Sequence, residues 1–192
     1  MADAERTKRI FLSSTAKDLR ECREAACKAI TSAGHRCVRM EDFPSTHESP
    51  EECCKRYIQD CELFVGLLGP CYGSSPQGRD LSFTELEFNT AQVLEKKCLM
   101  FLTADDFPVP ANYVTADKRL DKQLDFRDRV RKKLMTGVFH TADELKFQVL
   151  AALLKLWEVP LEVDCVVLCG GSGARLWPAD LGFLQGVAAR GG

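Results

Sequence analysis

The stretch Leu63-Phe64-Val65-Gly66-Leu67-Leu68 has no polar residue at any position. A strand with one wet face alternates polar and apolar residues. A strand without a polar face is buried on both sides, which is the condition of a central strand in a parallel sheet covered by helices above and below. The rest of the chain supplies the units such a sheet requires. Short apolar runs at Arg9-Ile10-Phe11-Leu12, Cys37-Val38-Arg39-Met40, Cys98-Leu99-Met100-Phe101-Leu102 and Val138-Phe139-His140 alternate with amphipathic stretches. This is the pattern of βαβ units. It predicts an α/β, flavodoxin/TIR-like, doubly wound five-stranded parallel sheet in the order 2-1-3-4-5.

Helix signals fall between these runs. Leu19, Cys22, Ala26 and Ile30 share a helical spacing over 17–32, and Gly34 stands where such a helix stops. Ser49-Pro50-Glu51-Glu52 reads as a cap, a proline in the first turn, and acids against the helix dipole. Helices are also expected from near Ser82 to Lys96, from Asp121 to Leu134, and after Thr141, where Leu145, Val149, Leu153 and Leu156 form a stripe. The segment 104–116, with Pro108 and Pro110, reads as a surface loop. The domain is expected over 8–158, after a short tail at 1–7. The extension 159–192 is expected to be weakly ordered. Within it Gly170-Gly171-Ser172-Gly173 to Pro178 resembles the glycine-rich signature of sugar-phosphate nucleotidyltransferases, but too little chain follows for such a domain.

Composition narrows the function classes. A chain of 192 residues with 45% hydrophobic residues can fill one core, and a net charge of -2 offers no basic field for nucleic acid or an anionic membrane. No apolar stretch approaches the roughly 20 residues of a membrane span. The ten cysteines lack Cys-x-x-Cys spacing, so no metal site is expected. The polar start Met1 to Arg6 carries no leader-like apolar run. Buried thiols in a reducing, cytoplasmic setting are the expectation.

In a doubly wound sheet, ligands bind beyond the carboxyl ends of the strands, where the winding reverses. Three segments fall there. Ser13, Ser14 and Thr15 follow strand 1 and either bind a phosphate or ribose or cap the next helix. Glu41 and Asp42 follow strand 2 and either accept from ribose hydroxyls or form an exposed acidic loop. Gly69, Tyr72 and Gly73 follow strand 3; the glycines permit a close backbone approach, and Tyr72 either stacks on a base or is an exposed turn residue.

The stretch Ser82-Phe83-Thr84-Glu85-Leu86-Glu87 contains two overlapping capping boxes, of which one can operate. If Ser82 caps, Glu85 folds back on the helix start. Glu87 then points about 200° around the axis, toward the strand ends and the Ser13 loop. Capping then accounts for Glu85 and leaves Glu87 unexplained, and the two acids cannot line one cleft equally well. Such an acid could serve N-glycosidic cleavage as nucleophile or as stabiliser of an oxocarbenium ion.

Four ordered motifs, Arg9 to Leu19, Met40 to Phe43, Phe64 to Ser74 and Ser82 to Ala91, together resemble a TIR-like domain family. Its members lie N-terminal to a NACHT-type NTPase with WD or tetratricopeptide repeats, as in the telomerase-associated and NACHT–WD-repeat proteins. Cys71 stands where the resemblance would place arginine, which weakens an anion-binding role for that loop. The resemblance implies an intracellular signalling or effector domain acting by self-association or protein docking. The fold is similar to that of TIR domains and nucleoside deoxyribosyltransferases, which carry a glutamate in a Glu-x-x-x-Ala pattern. Glu87 to Ala91 fits that spacing and Glu85 does not, so the resemblance makes Glu87 the first candidate for a catalytic carboxylate and Glu85 the second. The alternative implied is a hydrolase of the N-glycosidic bond of NAD or a nucleoside, with NAD as substrate and no resident cofactor.

Overall fold

The computed structural model describes residues 7–16, 18–45, 47–108 and 119–157. The expectations for 1–6, most of the 104–116 loop, the 159–192 extension, Cys165 and Cys169 lie outside the described residues.

Among the described residues, five parallel strands form one sheet in the order β2-β1-β3-β4-β5. The strands are β1 (Arg9–Ser14), β2 (Arg36–Val38), β3 (Leu63–Leu68), β4 (Lys97–Thr103) and β5 (Thr136–Phe139). The helices are α1 (Arg20–Ser32), α2 (Pro50–Gln59), α3 (Phe83–Val93), α4 (Leu120–Lys133) and α5 (Ala142–Leu156). All six residues of β3 are buried, as its missing polar face requires. In β3, Gly66 makes room for the Met100 side chain of β4, which a Cβ would meet at 2.5 Å.

Strand alternation divides the core into two layers. Ile10, Leu12, Leu63, Val65, Leu67 and Phe101 face α1 and α5. Phe11, Phe64, Leu68, Met100 and Leu102 face the other way, toward Ile58 of α2, Phe88 and Ala91 of α3, and Phe126 and Val130 of α4. Each layer removes apolar surface from water at about 25 cal/mol per Å², which is why both faces of the central strands are apolar.

Several boundaries differ from the sequence reading. Chain 18–19 is a turn, so α1 begins at Arg20 and not at 17. The strand at β2 ends at Val38, because Met40–Asp42 winds into a 3-10 turn. The third helix stops at Val93, and β5 begins earlier, at Thr136. Local caps match their signals. Ser49 and Glu52 form a reciprocal box, Ser82 caps α3, and Thr141 caps α5. Gly34, at φ 80°, carries the chain out of α1 in the left-handed region that glycine tolerates.

Candidate functional site

Parallel winding brings the ends of β1, β2 and β3 and the start of α3 to one edge of the sheet. Glu87, in the second turn of α3, reaches Ser13 at the end of β1. The Ser13 hydroxyl donates to Glu87 Oε2 at 2.5 Å, and the Cys54 thiol of α2 donates to Oε1 at 3.6 Å. Glu87 is 6% exposed and Ser13 1%. Burial pushes the Glu87 carboxyl up to about 7; the bonds from Ser13 and Cys54 and the charge of Arg23 oppose the shift without cancelling it. The Cys54 thiol is also pushed up, first by burial and then by the Glu87 charge, so it stays protonated.

Beside this pair lies Arg23, buried on α1. Its guanidinium donates to the Ser14 carbonyl and hydroxyl, both at 2.8 Å, and to both carboxylate oxygens of Glu41. Glu41 is thus an ion-pair partner, half-exposed and shared with Arg39, while Asp42 is taken by Arg39 at 3.0 Å on the surface. Neither carboxylate is held by an empty loop.

The Ser13-Ser14-Thr15 segment does not cap α1. Its N-cap position is Leu19, which offers no side-chain acceptor, and Ser13 and Ser14 are the last residues of β1. The hydroxyls are spent on Glu87 and Arg23. Thr15 Oγ1 is buried without a hydrogen-bond partner, as is Asp18 Oδ1, although Asp18 Oδ2 accepts from the Cys71 amide at 3.2 Å.

The loop after β3 is packed against the loop after β1. A Cβ on Gly69 would stand 2.6 Å from Asp18 Oδ2, and one on Gly73, at φ 82°, would stand 2.8 Å from Thr15 Cγ2. These glycines let the two loops of the chain pack closely, rather than a ligand approach the backbone. Tyr72 is not a surface ring awaiting a base. It is 1% exposed, lies in the core layer, and has the Arg119 guanidinium 5.1 Å over its ring. The phenol is pushed up to about 12 by burial and by its bond to Glu85. Its large apolar ring gains more in the core than in solvent, provided the hydroxyl finds a partner.

That partner is Glu85. Its Oε2 accepts from the Tyr72 hydroxyl at 2.5 Å and its Oε1 from Arg129 of α4 at 2.6 Å. The expected fold-back onto the helix start is replaced by this triad. Ser82, 1% exposed, accepts from the Glu85 amide at 3.2 Å and is the cap. Glu85 is therefore engaged in holding α3, α4 and the β3 loop together, away from Ser13. Arg127 has a similar task. Buried on α4, it donates to the carbonyls of Leu68, Gly69 and Thr103 and to the Thr103 hydroxyl, while Gln123 donates to the Gly69 carbonyl.

Sequence reasoning did not single out Arg23, Cys54, Gln123, Arg127 or Arg129. One signal was present. Arg23 falls on the apolar stripe of Leu19, Ala26 and Ile30, and Arg127 sits beside Phe126 and Val130; a charge on a buried stripe requires a partner. Among the described residues, no group of three or more His, Cys, Asp or Glu side chains is arranged to hold a metal ion. All eight described cysteines are free thiols.

Residues 9–154 match a family model described as a domain of unknown function (DUF4062). No curated protein sequence matches the chain significantly. Among solved structures, the TIR domains of the activated Roq1 resistosome, which directly recognizes the pathogen effector XopQ, align with a TM-score of 0.51. Identity is 15%, over 79% of this chain and 99% of that one. The CMP N-glycosidase BcmB of Clostridium botulinum aligns with a TM-score of 0.41 and 15% identity, over 74% and 98%. A diflavin flavoprotein A3 from Nostoc sp. aligns with 0.42 and 14%, over 81% and 94%. At this identity the likeness to the TIR domains is one of fold alone.

Proposed function

The chain belongs to the DUF4062 family, whose description assigns no activity, and we propose that it is an effector domain of a signalling protein, acting by self-association or by docking a protein partner. The observation that carries this is on α4. Leu120 and Leu124, one helical turn apart, are 45% and 51% exposed. The fold gains little from two leucines left in water, whereas an interface would gain their burial. The TIR fold of an assembled resistosome offers the precedent, and the sequence resemblance supplies the context, a larger protein with an NTPase and repeats. The test is sedimentation of the chain over a concentration series, beside Leu120→Glu and Leu124→Glu. Self-association that weakens in both variants is expected. Identical sedimentation of all three as monomers, with signalling by the larger protein intact in both variants, would remove α4 as the interface.

A second reading is favoured by the Ser13–Glu87 pair at the reversal point of the sheet. It makes the domain a hydrolase of the N-glycosidic bond of NAD or a nucleoside. The bond between the anomeric carbon and the base nitrogen breaks, and its electron pair leaves with the base. The Glu87 carboxylate faces the developing positive charge on the sugar. Water then delivers hydroxide to the anomeric carbon; its proton goes to the departing base of a nucleoside, or to solvent when neutral nicotinamide leaves NAD. Thr15 Oγ1 and Asp18 Oδ1 are buried without a hydrogen-bond partner at the same edge. Base release by concentrated wild-type chain and by Glu87→Gln tests it. Equal release by the two would take Glu87 out of the reaction.

A further inference from the structure

With Tyr72 sealed in the core, no ring expected from the sequence is left to receive a planar ligand. A different pair of rings borders the Ser13–Glu87 cluster. Phe43 follows the 3-10 turn that carries Glu41, and Tyr57 lies on α2 one turn beyond Cys54, whose thiol touches Glu87. The two rings are stacked, 9° from parallel, with centroids 3.8 Å apart. Both are half-buried, so the edge of the stack meets solvent. Aromatic pairs prefer offset or edge-to-face arrangements with centroids about 4.5–7 Å apart. A nearly superimposed pair at 3.8 Å falls outside that preference, and it joins two elements that share no secondary structure.

We propose that Phe43 and Tyr57 are the two jaws of a ring-binding subsite, which opens to take a heteroaromatic ring of nucleobase type between them. Because the jaws are already parallel, a translation of roughly one ring thickness admits a third ring, and both of its faces are then stacked. The guanidinium of Arg56 lies 4.8 Å over the Tyr57 ring, so this π-system already accepts an electron-poor, planar group. Three residues, a rise of about 4.5 Å along the helix, separate Tyr57 from Cys54. That spacing leaves a ribose attached to the stacked ring beside Glu87 and Glu41. The proposal rests on the catalytic reading of the Ser13–Glu87 pair and assigns the site that would hold the leaving base.

The experiment is calorimetric titration of the full chain with adenosine monophosphate, nicotinamide mononucleotide and, as a ringless control, ribose 5-phosphate. It is repeated with Phe43→Leu, Tyr57→Leu, Tyr57→Phe and Glu87→Gln. The ring-bearing probes are expected to bind about tenfold or more tightly than ribose 5-phosphate. Each leucine variant should lose that advantage and leave ribose 5-phosphate binding unchanged, while Tyr57→Phe keeps it. Ring probes that bind no better than ribose 5-phosphate, that bind both leucine variants as they bind wild type, or that do not bind at all overturn the subsite. Base release separates the two ideas. Ring binding lost in both leucine variants, with no base released by wild type, leaves the subsite and removes the hydrolase. Base released by wild type and by both leucine variants alike, and lost in Glu87→Gln, does the reverse.

Discussion

The Ser13 hydroxyl at the end of β1 donates to the Glu87 carboxylate of α3 at 2.5 Å, across 74 residues of sequence. Burial costs the carboxylate its hydration, and the hydroxyl, the thiol of Cys54 and the nearby Arg23 restore only part of it. The carboxyl therefore titrates near neutrality.

The pH dependence of stability follows in sign. Burial raises the folded-state value from 4.5 to about 7, so between these values the folded chain holds a proton that the unfolded chain has released. Stability from this group is present in full below pH 4.5, declines as pH rises, and levels off above 7. At about 1.4 kcal/mol per pH unit, the decline amounts to at most about 3.5 kcal/mol. Glu87→Gln cannot ionise, so its stability relative to wild type should rise between pH 4.5 and 7 and then stay level. Urea unfolding of both proteins at pH 5, 6, 7 and 8 measures the difference. A constant difference across the series would mean that Glu87 titrates as an ordinary surface acid.

Glu85 carries the larger structural burden. Glu85→Ala removes the carboxylate that bridges the buried Tyr72 hydroxyl and the Arg129 guanidinium, and opens a cavity under α3. Arg129 is 42% exposed and can turn to water, so the expected loss is about 2–4 kcal/mol, below that of a fully buried pair. Ser82→Ala, which removes only a cap, should cost about 1 kcal/mol. Chemical denaturation ranks the two, and a smaller loss for Glu85→Ala would contradict the triad.

Arg127 ties α4 to the ends of β3 and β4 through the carbonyls of Leu68, Gly69 and Thr103. A planar fork reaches these acceptors together, and an ammonium cannot. Both Arg127→Lys and Arg127→Leu are expected to destabilise, by about 2 kcal/mol or more, with lysine recovering little. Thermal melts decide this; a lysine variant that melts with wild type would show that charge alone suffices.

Gly69→Ala places a methyl 2.6 Å from Asp18 Oδ2 and 3.0 Å from Leu19 Cγ. The loops after β1 and β3 must then separate, and Asp18 loses its bond from the Cys71 amide. A loss of about 1–3 kcal/mol is expected. Hydrogen exchange should show faster exchange at Cys71 than in wild type, and unchanged exchange there would mean that the loops adjust without parting.

The sequence alone determined the sheet. Leu63 to Leu68 has no polar position, so β3 had to be central, and the alternation of apolar runs with amphipathic helices left the doubly wound order as the economical arrangement. Ser49, Ser82 and Thr141 declared their helix starts, because capping is a contact within four residues. Spacing on α3 also separated Glu85 from Glu87, since helical periodicity sends residues two apart to different faces. What spacing could not say is who waits on each face. Tyr72 and Arg129 meet Glu85, Cys54 and Ser13 meet Glu87, and Arg23 meets Glu41 only after a strand end, two loops and four helices have been brought together. Those partners lie 13 to 74 residues apart. Their pairing is fixed by the need to satisfy each buried charge, a condition that belongs to the packed core and to no local stretch of chain.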